Sequence, residues 1–219
     1  MKKILSILLS IVVIFALGGC GSKKAAVVTD KKVITVGASP IPHKEILEVV
    51  KPLLAKEGYT LKIVEFTDYV TPNTALAEKQ LDANFFQHVP YLTEFSKEKG
   101  LDLTWTVKVH IEPMALYSNK YKKLSDIKNG ASIAIPNDPS NGARALRVLE
   151  KAGLLKLKTG DLISKLDITS NPKNLKITEL DAPQLPRILK DMDAAVINSN
   201  YAIEAKLKLT DALAVEAKD

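Results

Sequence analysis

The chain has 219 residues, of which 46% are hydrophobic, and its formal net charge is +6. This length and apolar content suit one large or two small globular domains and argue against disorder. Lysines lie among acidic residues, as in Lys44-Glu45 and Lys56-Glu57, which indicates a solvated charged surface and no nucleic-acid partner. Because Cys20 is the only cysteine, an intrachain disulfide and a multi-cysteine metal site are excluded.

The N-terminus carries the pattern of a secretory signal. Two lysines precede a near-unbroken apolar run over residues 4–17, which is shorter than the ~20 residues of a membrane-spanning helix. The following Leu17-Gly18-Gly19-Cys20 resembles a bacterial lipobox, whose cysteine is acylated. We therefore expect a lipoprotein signal peptide over residues 1–19, a lipid on Cys20 that anchors the protein at the extracytoplasmic face of the cell membrane, and a flexible tether over residues 20–32.

Predicted strands and helices alternate in the first half of the chain. Apolar residues recur at strand or helix spacing, and glycine or proline stands at most of the element ends. In chain order the pattern predicts a strand at 33–36, a helix over 46–54, a strand at 61–66, a short helix over 71–81, a strand at 83–86, a helix over 90–99 and a strand around 105–109.

A second series of elements begins near residue 114. It comprises predicted strands at 114–117, 132–135, 176–180 and 194–197, and predicted helices over 143–152 and 183–190. Strands separated by helices favour an α/β fold with parallel sheets. Because the two series meet near residues 110–113, we expect lobe I over 33–111, lobe II over 112–198, and the start of a return to lobe I over 199–219.

Polar and aromatic residues follow the predicted strands, at the sheet edge where ligands bind in such folds. Lobe I supplies aromatic rings and an imidazole, and lobe II supplies amides and a guanidinium. The candidate ligand-binding residues are Tyr69, Phe86, His88, Asn141, Arg144 and Asn198. This division suits a ligand with an apolar body and a charged head.

Arg144 falls in the first turn of a predicted helix, where the helix dipole disfavours a cation unless an anion is near. Its guanidinium can hold a carboxylate through two parallel hydrogen bonds. A pairing of Arg144 with Asp138 that fixes the preceding turn explains the position equally well. On the residues alone, both interpretations stay open.

The aromatic candidates also have structural interpretations. His88 is separated in sequence from His43 and His110, and a lone histidine is more often a packing or hydrogen-bonding residue than a base or metal ligand. Tyr69 fits a core position as well as a cleft. Phe85 and Phe86 point to opposite faces of their strand, and we assign Phe86 to the cleft.

No catalytic or metal-binding motif is present in the sequence. Nucleophile-elbow, phosphate-loop, zinc-protease and dinucleotide motifs are all missing, and residues 137–142 lack the acidic spacing of a calcium-binding loop. We therefore expect no enzymatic activity, no catalytic residue, no cofactor and no metal site.

Several ordered segments carry a resemblance to a known family. They are Asp68-Tyr69-Val70, Asp82-Ala83-Asn84, Phe86-Gln87-His88, Pro136-Asn137-Asp138-Pro139, Asn171-Pro172-Lys173-Asn174-Leu175, Ala182-Pro183-Gln184-Leu185-Pro186-Arg187 and Ala195-Val196-Ile197-Asn198. Together they resemble the methionine-binding lipoprotein family (MetQ, also called NlpA). The resemblance runs from the lipobox to about residue 206.

This resemblance implies a two-lobed periplasmic-binding-protein fold of type II with a parallel-rich sheet in each lobe. It also implies capture of L-methionine, or of D-methionine or a methionine-containing peptide, for delivery to the permease and ATPase of an ABC importer. By the family motifs, Arg144 grips the ligand carboxylate with Asn141 and Asn198 as polar partners. Tyr69, Phe86 and His88 surround the ligand side chain.

Family members continue beyond the point that corresponds to residue 219, with a segment that returns to lobe I. We therefore expect the fold to be C-terminally incomplete. A lipid-anchored surface adhesin or scaffold without ligand transport is the alternative function, and an extracytoplasmic hydrolase is the least favoured one.

Overall fold

The computed structural model describes residues 32–217. The predicted signal peptide, Cys20 and all but the last residue of the predicted tether lie outside the described residues. Among the residues described, no helix combines the length and the apolar content needed to cross a membrane.

The first half of the described chain forms a three-stranded parallel sheet. Its elements are β1 (Val33–Ala38), a π-helical turn (Pro40–Lys44), α1 (Glu45–Lys56), β2 (Thr60–Glu65), α2 (Thr71–Ala77), β3 (Ala83–Phe85) and α3 (Val89–Lys99). The strand order is β2-β1-β3, with β1 parallel to both neighbours. Parallel pairing brings the carboxyl ends of all three strands to one edge, next to the residues that precede α2 and α3.

A five-stranded sheet forms in the second half. Its elements are β4 (Ala115–Tyr117), β5 (Ser132–Pro136), α4 (Pro139–Lys151), β6 (Lys156–Leu157), β7 (Ile168–Ser170), β8 (Lys176–Leu180), α5 (Leu185–Ile188), β9 (Ala194–Ile197), α6 (Ser199–Glu204) and β10 (Ala214–Val215). The order is β10-β4-β9-β5-β8, in which β5 runs parallel to β8 and β9, while β4 runs antiparallel to β9 and β10. Strands β6 and β7 form a separate antiparallel pair.

The core of the second half covers both faces of this sheet. All four residues of β9 are fully buried, which explains their continuous apolar run. On one face Leu146 and Leu149 of α4 pack against Ile133 and Val196. On the other face Leu185 belongs to a second apolar cluster. Helix α4 is therefore fixed against β5, the strand whose end leads into its first turn.

The predicted α/β fold with parallel-rich sheets is confirmed. The predicted strand at 105–109 is wrong, because residues 101–114, here called the crossover segment, have no regular structure. Its alternating apolar residues Trp105, Val107 and Val109 are 51–69% exposed, and no described strand pairs with them. Alternation alone does not make a strand, since the backbone also needs a partner for its hydrogen bonds. Lys108 Nζ lies 5.4 Å from the centre of the Trp105 ring.

The last elements contact both halves of the described chain. Helix α6 packs against the turn Pro40–Lys44. Strand β10 pairs with β4 at the edge of the five-stranded sheet, with Ala214 opposite Leu116. Residues that follow β10 are thereby held beside the start of β4. The lobe boundaries at 33–111, 112–198 and 199–219 stay a prediction.

Candidate functional site

The first turn of α4 places two candidate residues side by side. Asp138 caps the helix by accepting a hydrogen bond from the Asn141 backbone N–H at 2.8 Å, and Pro139 fills the first helical position. Asn141 and Arg144 are three residues apart, so they lie on the same face of the helix. Arg144 NH1 donates to Asn141 Oδ1 at 3.0 Å, and Asn198 Nδ2 donates to the same oxygen at 2.9 Å. The three predicted polar residues of the second half thus form one hydrogen-bonded group.

Arg144 holds a carboxylate of the chain itself. Its Nε donates to Glu216 Oε1 at 2.8 Å and its NH2 to Glu216 Oε2 at 2.6 Å, which is the bidentate arrangement of a strong ion pair. Burial favours the neutral form of Glu216, but the hydrogen bonds and charge of Arg144 outweigh it, so the pKa of this carboxyl lies below its ordinary value. Asp138 is not the partner, because the hydrogen bonds of Arg144 among the described residues go to Glu216, Asn141 and the Glu112 carbonyl. The Asp138 oxygens accept from Asn141.

The backbone positions Glu216 in this pair. Its N–H donates to the Met114 carbonyl at 2.8 Å, and its Oε2 accepts from the Met114 N–H at 2.9 Å. The first contact continues the backbone pairing of β10 with β4, and the second ties the Glu216 side chain to the start of β4. Glu216 was not among the predicted site residues, and the only signal for it is an acid that directly follows a short apolar stretch.

The aromatic candidates form one cluster. Ring centroids of Tyr69 lie 6.0 Å from Phe86, 5.7 Å from Tyr91 and 5.0 Å from Tyr201. Tyr69 also donates its hydroxyl to Asn200 Oδ1, which joins the first half to α6. Tyr91 and Tyr201 were not predicted as site residues, because a tyrosine in a helix gives no sign of the ring that it contacts.

His88 connects the aromatic cluster to the polar group. Its ring lies 6.3 Å from Tyr91, and its Nε2 is 2.8 Å from Ser140 Oγ in the first turn of α4. Burial, together with the nearby charge of Arg144, lowers the pKa of His88 to about 3. The ring is therefore neutral at neutral pH, as expected of a hydrogen-bonding residue.

Two buried amide atoms in this region have no hydrogen-bond partner among the described residues. They are Asn198 Oδ1, which is an acceptor, and Asn200 Nδ2, which is a donor. Buried polar atoms nearly always have a partner, so each of them is a candidate contact for a ligand. With the guanidinium of Arg144, they offer contacts to both ends of a zwitterion.

The structure brings all six predicted residues into this one region, and their role in binding stays a prediction.

A separate group, which comprises His43, His110 and Glu112, offers three ligand atoms suited to a metal ion, all within 4.8 Å of one another. The sequence places both histidines in loops other than that of His88, and no metal site was expected from it. Contacts between residues far apart in sequence give no local signal.

The comparisons with known proteins agree with each other. Residues 34–219 match the family described as NlpA lipoprotein. The D-methionine-binding lipoprotein MetQ of Salmonella typhi is 46% identical over 211 residues, which cover 93% of this chain and 76% of that protein.

Solved structures extend the similarity to the fold. A nutrient binding protein from Burkholderia cenocepacia bound to methionine has a TM-score of 0.82 and 48% identity, over 84% of this chain and 80% of that chain. The substrate binding protein of a methionine transporter from Streptococcus pneumoniae also has a TM-score of 0.82, with 41% identity over 86% and 76% of the two chains. The chain therefore belongs to the NlpA lipoprotein family.

Proposed function

We propose that this chain is an extracytoplasmic, lipid-anchored substrate-binding protein that captures methionine, with L-methionine as its principal ligand, and delivers it to the permease and ATPase of an ABC importer. The observation that carries the proposal is the Arg144 guanidinium, which binds a carboxylate bidentately beside an aromatic cluster. The names of the similar proteins support methionine as the ligand.

Each part of methionine has a complementary group in this region. The carboxylate is assigned to Arg144, with Asn141 holding the guanidinium in place. The ammonium is assigned to Asn198 Oδ1, which is a buried acceptor with no partner among the described residues. Tyr69, Phe86 and His88 are assigned to the side chain, since a thioether gains from contact with aromatic edges.

The contact between Ser140 and His88 suggests a hydrolase at first sight, but its chemistry argues against one. A serine nucleophile needs a base whose pKa lies near the working pH. The pKa of His88 is lowered to about 3, and Ser140 is only 4% exposed. We therefore propose that the chain binds its ligand without catalysing a reaction.

Calorimetric titration of the full chain with L-methionine tests the proposal. Because charge-assisted hydrogen bonds contribute ~1.5–3 kcal/mol, Arg144→Ala is expected to weaken binding about tenfold or more. Arg147→Ala is the matched control, since that exposed arginine lies on the same helix and, among the described residues, donates its hydrogen bonds to the carbonyls of Gly160 and Asp161. Unchanged affinity in Arg144→Ala would contradict the proposed site.

Ligand analogues test the two ends of methionine separately. Methioninamide lacks the carboxylate, and its binding should depend little on Arg144. Norleucine keeps the backbone but replaces sulfur with carbon, and its weaker binding would report the thioether contact. D-methionine and short methionine peptides, titrated in the same way, define the ligand range. If none of these compounds binds, the adhesin alternative gains support.

The proposed lipid anchor rests on the sequence around Cys20 and on similarity to lipoproteins. Cells that express the chain, labelled with radioactive palmitate, should incorporate label into the wild type but not into Cys20→Ser. Fractionation should place the wild type with membranes. Label in the variant would contradict the assignment of Cys20.

A further inference from the structure

Two histidines and one glutamate converge where the first sheet meets the crossover segment. His43 Nε2 lies 3.1 Å from Glu112 Oε1, and His110 Nε2 lies 2.6 Å from the same oxygen. His43 comes from the turn that follows β1, whereas His110 and Glu112 come from the crossover segment. Each contact between an imidazole nitrogen and the carboxylate oxygen can contain at most one hydrogen atom. When the nitrogen carries none, both atoms offer lone pairs. Three such atoms close together are also the arrangement of a ligand set around a cation.

The three side chains match zinc in their chemistry. Two imidazole nitrogens and one carboxylate oxygen form a known ligand set for zinc with a fourth position open to water. A tetrahedral ion with bonds of ~2.0–2.1 Å separates its ligand atoms by about 3.3 Å. The distance of 3.1 Å from His43 Nε2 to Glu112 Oε1 already approaches this value. The distance from His110 Nε2 to the same oxygen has to widen by about 0.7 Å. His110 lies in a segment without regular structure, so no strand or helix has to break for this shift.

The surroundings of His43 orient it as a ligand. Its Nδ1 lies 2.6 Å from Ser39 Oγ, so the serine oxygen can accept the ring hydrogen and leave the lone pair on Nε2. Such an outer contact fixes the orientation and the tautomer of histidine ligands.

The group is accessible from one side. The side chain of His43 is only 6% exposed, whereas those of His110 and Glu112 are 28% and 21% exposed. His110 and Glu112 line a cavity of ≈ 290 Å³, together with residues of α6 and Pro42. An ion can reach the open side of the group through this cavity, and a water molecule can complete its coordination.

We propose that His43, His110 and Glu112 form a site for zinc or a similar divalent transition metal. The metal fastens the crossover segment to the turn after β1, and it replaces the direct contacts of the two histidines with Glu112. The site is distinct from the proposed methionine site. The Glu112 carbonyl, however, accepts a hydrogen bond from Arg144 NH2 at 3.1 Å, so the two sites share a backbone segment.

Metal titration of the full chain in detergent tests the proposal, with Cys20→Ser in every sample so that the thiol does not bind zinc. Zinc should bind with one-to-one stoichiometry. Cobalt in its place should give the visible absorption of tetrahedral coordination. His110→Gln and Glu112→Gln should each weaken zinc binding at least about tenfold, and Ser39→Ala about 10–100-fold because it frees the His43 ring.

Glu57→Gln is the matched control for Glu112→Gln, because it makes the same change at an exposed glutamate outside the group. Its affinity for zinc should equal that of the starting protein. Zinc should also raise the melting temperature of the starting protein and of Glu57→Gln but not that of Glu112→Gln. Absence of one-to-one binding, or equal affinity in Glu112→Gln and Glu57→Gln, would overturn the proposal. Circular dichroism of each variant establishes that it is folded.

Discussion

The guanidinium of Arg144 and the carboxylate of Glu216 are joined by two hydrogen bonds, although the two residues lie 72 positions apart in the chain. A carboxylate from the chain thus occupies the group that we assign to the ligand carboxylate. Two anions cannot both take the same pair of N–H donors. Ligand binding therefore has to exchange the contact with Glu216 for a contact with the ligand.

Glu216→Gln should strengthen methionine binding. The amide has only one oxygen and no charge, so it competes less well than a carboxylate for the donors of Arg144. We expect a gain of about fivefold, the equivalent of ~1 kcal/mol. Titration of the variant with L-methionine measures this gain. Glu204→Gln, at an exposed position on α6, is the control and should bind as the wild type does.

The same variant should reveal a pH-dependent contribution to stability. The folded-state pKa of Glu216 lies below its ordinary value of 4.5. The ion pair therefore stabilises the fold above pH 4.5, and this contribution is lost as the pH falls through the folded-state pKa. The free energy of unfolding of the wild type should exceed that of Glu216→Gln by about 1–2 kcal/mol at pH 7, and the difference should shrink below pH 4.5. A difference that does not change with pH would show that the charge of Glu216 contributes nothing.

Tyr69→Phe should destabilise the fold without changing its core. The hydroxyl of Tyr69 donates to Asn200 Oδ1, and its loss leaves this oxygen without a donor in a buried site. We expect a loss of about 1–3 kcal/mol in the free energy of unfolding, measured in urea. Tyr59→Phe is the control, because Tyr59 is exposed and should change stability by less than ~0.5 kcal/mol.

Gly37→Ala should destabilise the first sheet. A Cβ atom on Gly37 would lie 2.6 Å from Asn84 Oδ1, 2.8 Å from Leu81 Cδ1 and 2.9 Å from Phe66 Cε2. Such overlap forces neighbouring side chains to shift and costs about 1–3 kcal/mol. Gly160→Ala has open space around the new atom and should leave the melting temperature almost unchanged. Equal stability of the two variants would show that the atoms around Gly37 move aside freely.

The elements of the fold could be predicted because their signals are local. Periods of two and of about 3.6 in the apolar residues depend on near neighbours, as in β5 and α4, and the structure has both elements. The segment at 105–109 has the same alternation, but it has no partner strand among the described residues. Strand pairing depends on distant residues, and a pattern within one segment does not contain that information.

The candidate site could be predicted only in part for a related reason. Residues that lie within a few positions after a strand, such as Tyr69 and Asn198, are brought to the sheet edges by the fold class itself. Glu216 reaches Arg144 only because β10 pairs with β4, and neither short strand specifies its partner. His43 meets His110 only because the crossover segment returns past the first sheet. Both contacts follow from tertiary packing.

Trp105 is the only tryptophan of the chain, and it lies half-exposed in the crossover segment beside Lys108. That segment also contains Glu112, which contacts both Arg144 and the two histidines. The protein therefore carries its one indole fluorophore on the segment that its two candidate sites share. Excitation of this one indole reads out rearrangement of the segment without any attached dye, which makes the unlabelled chain its own optical sensor.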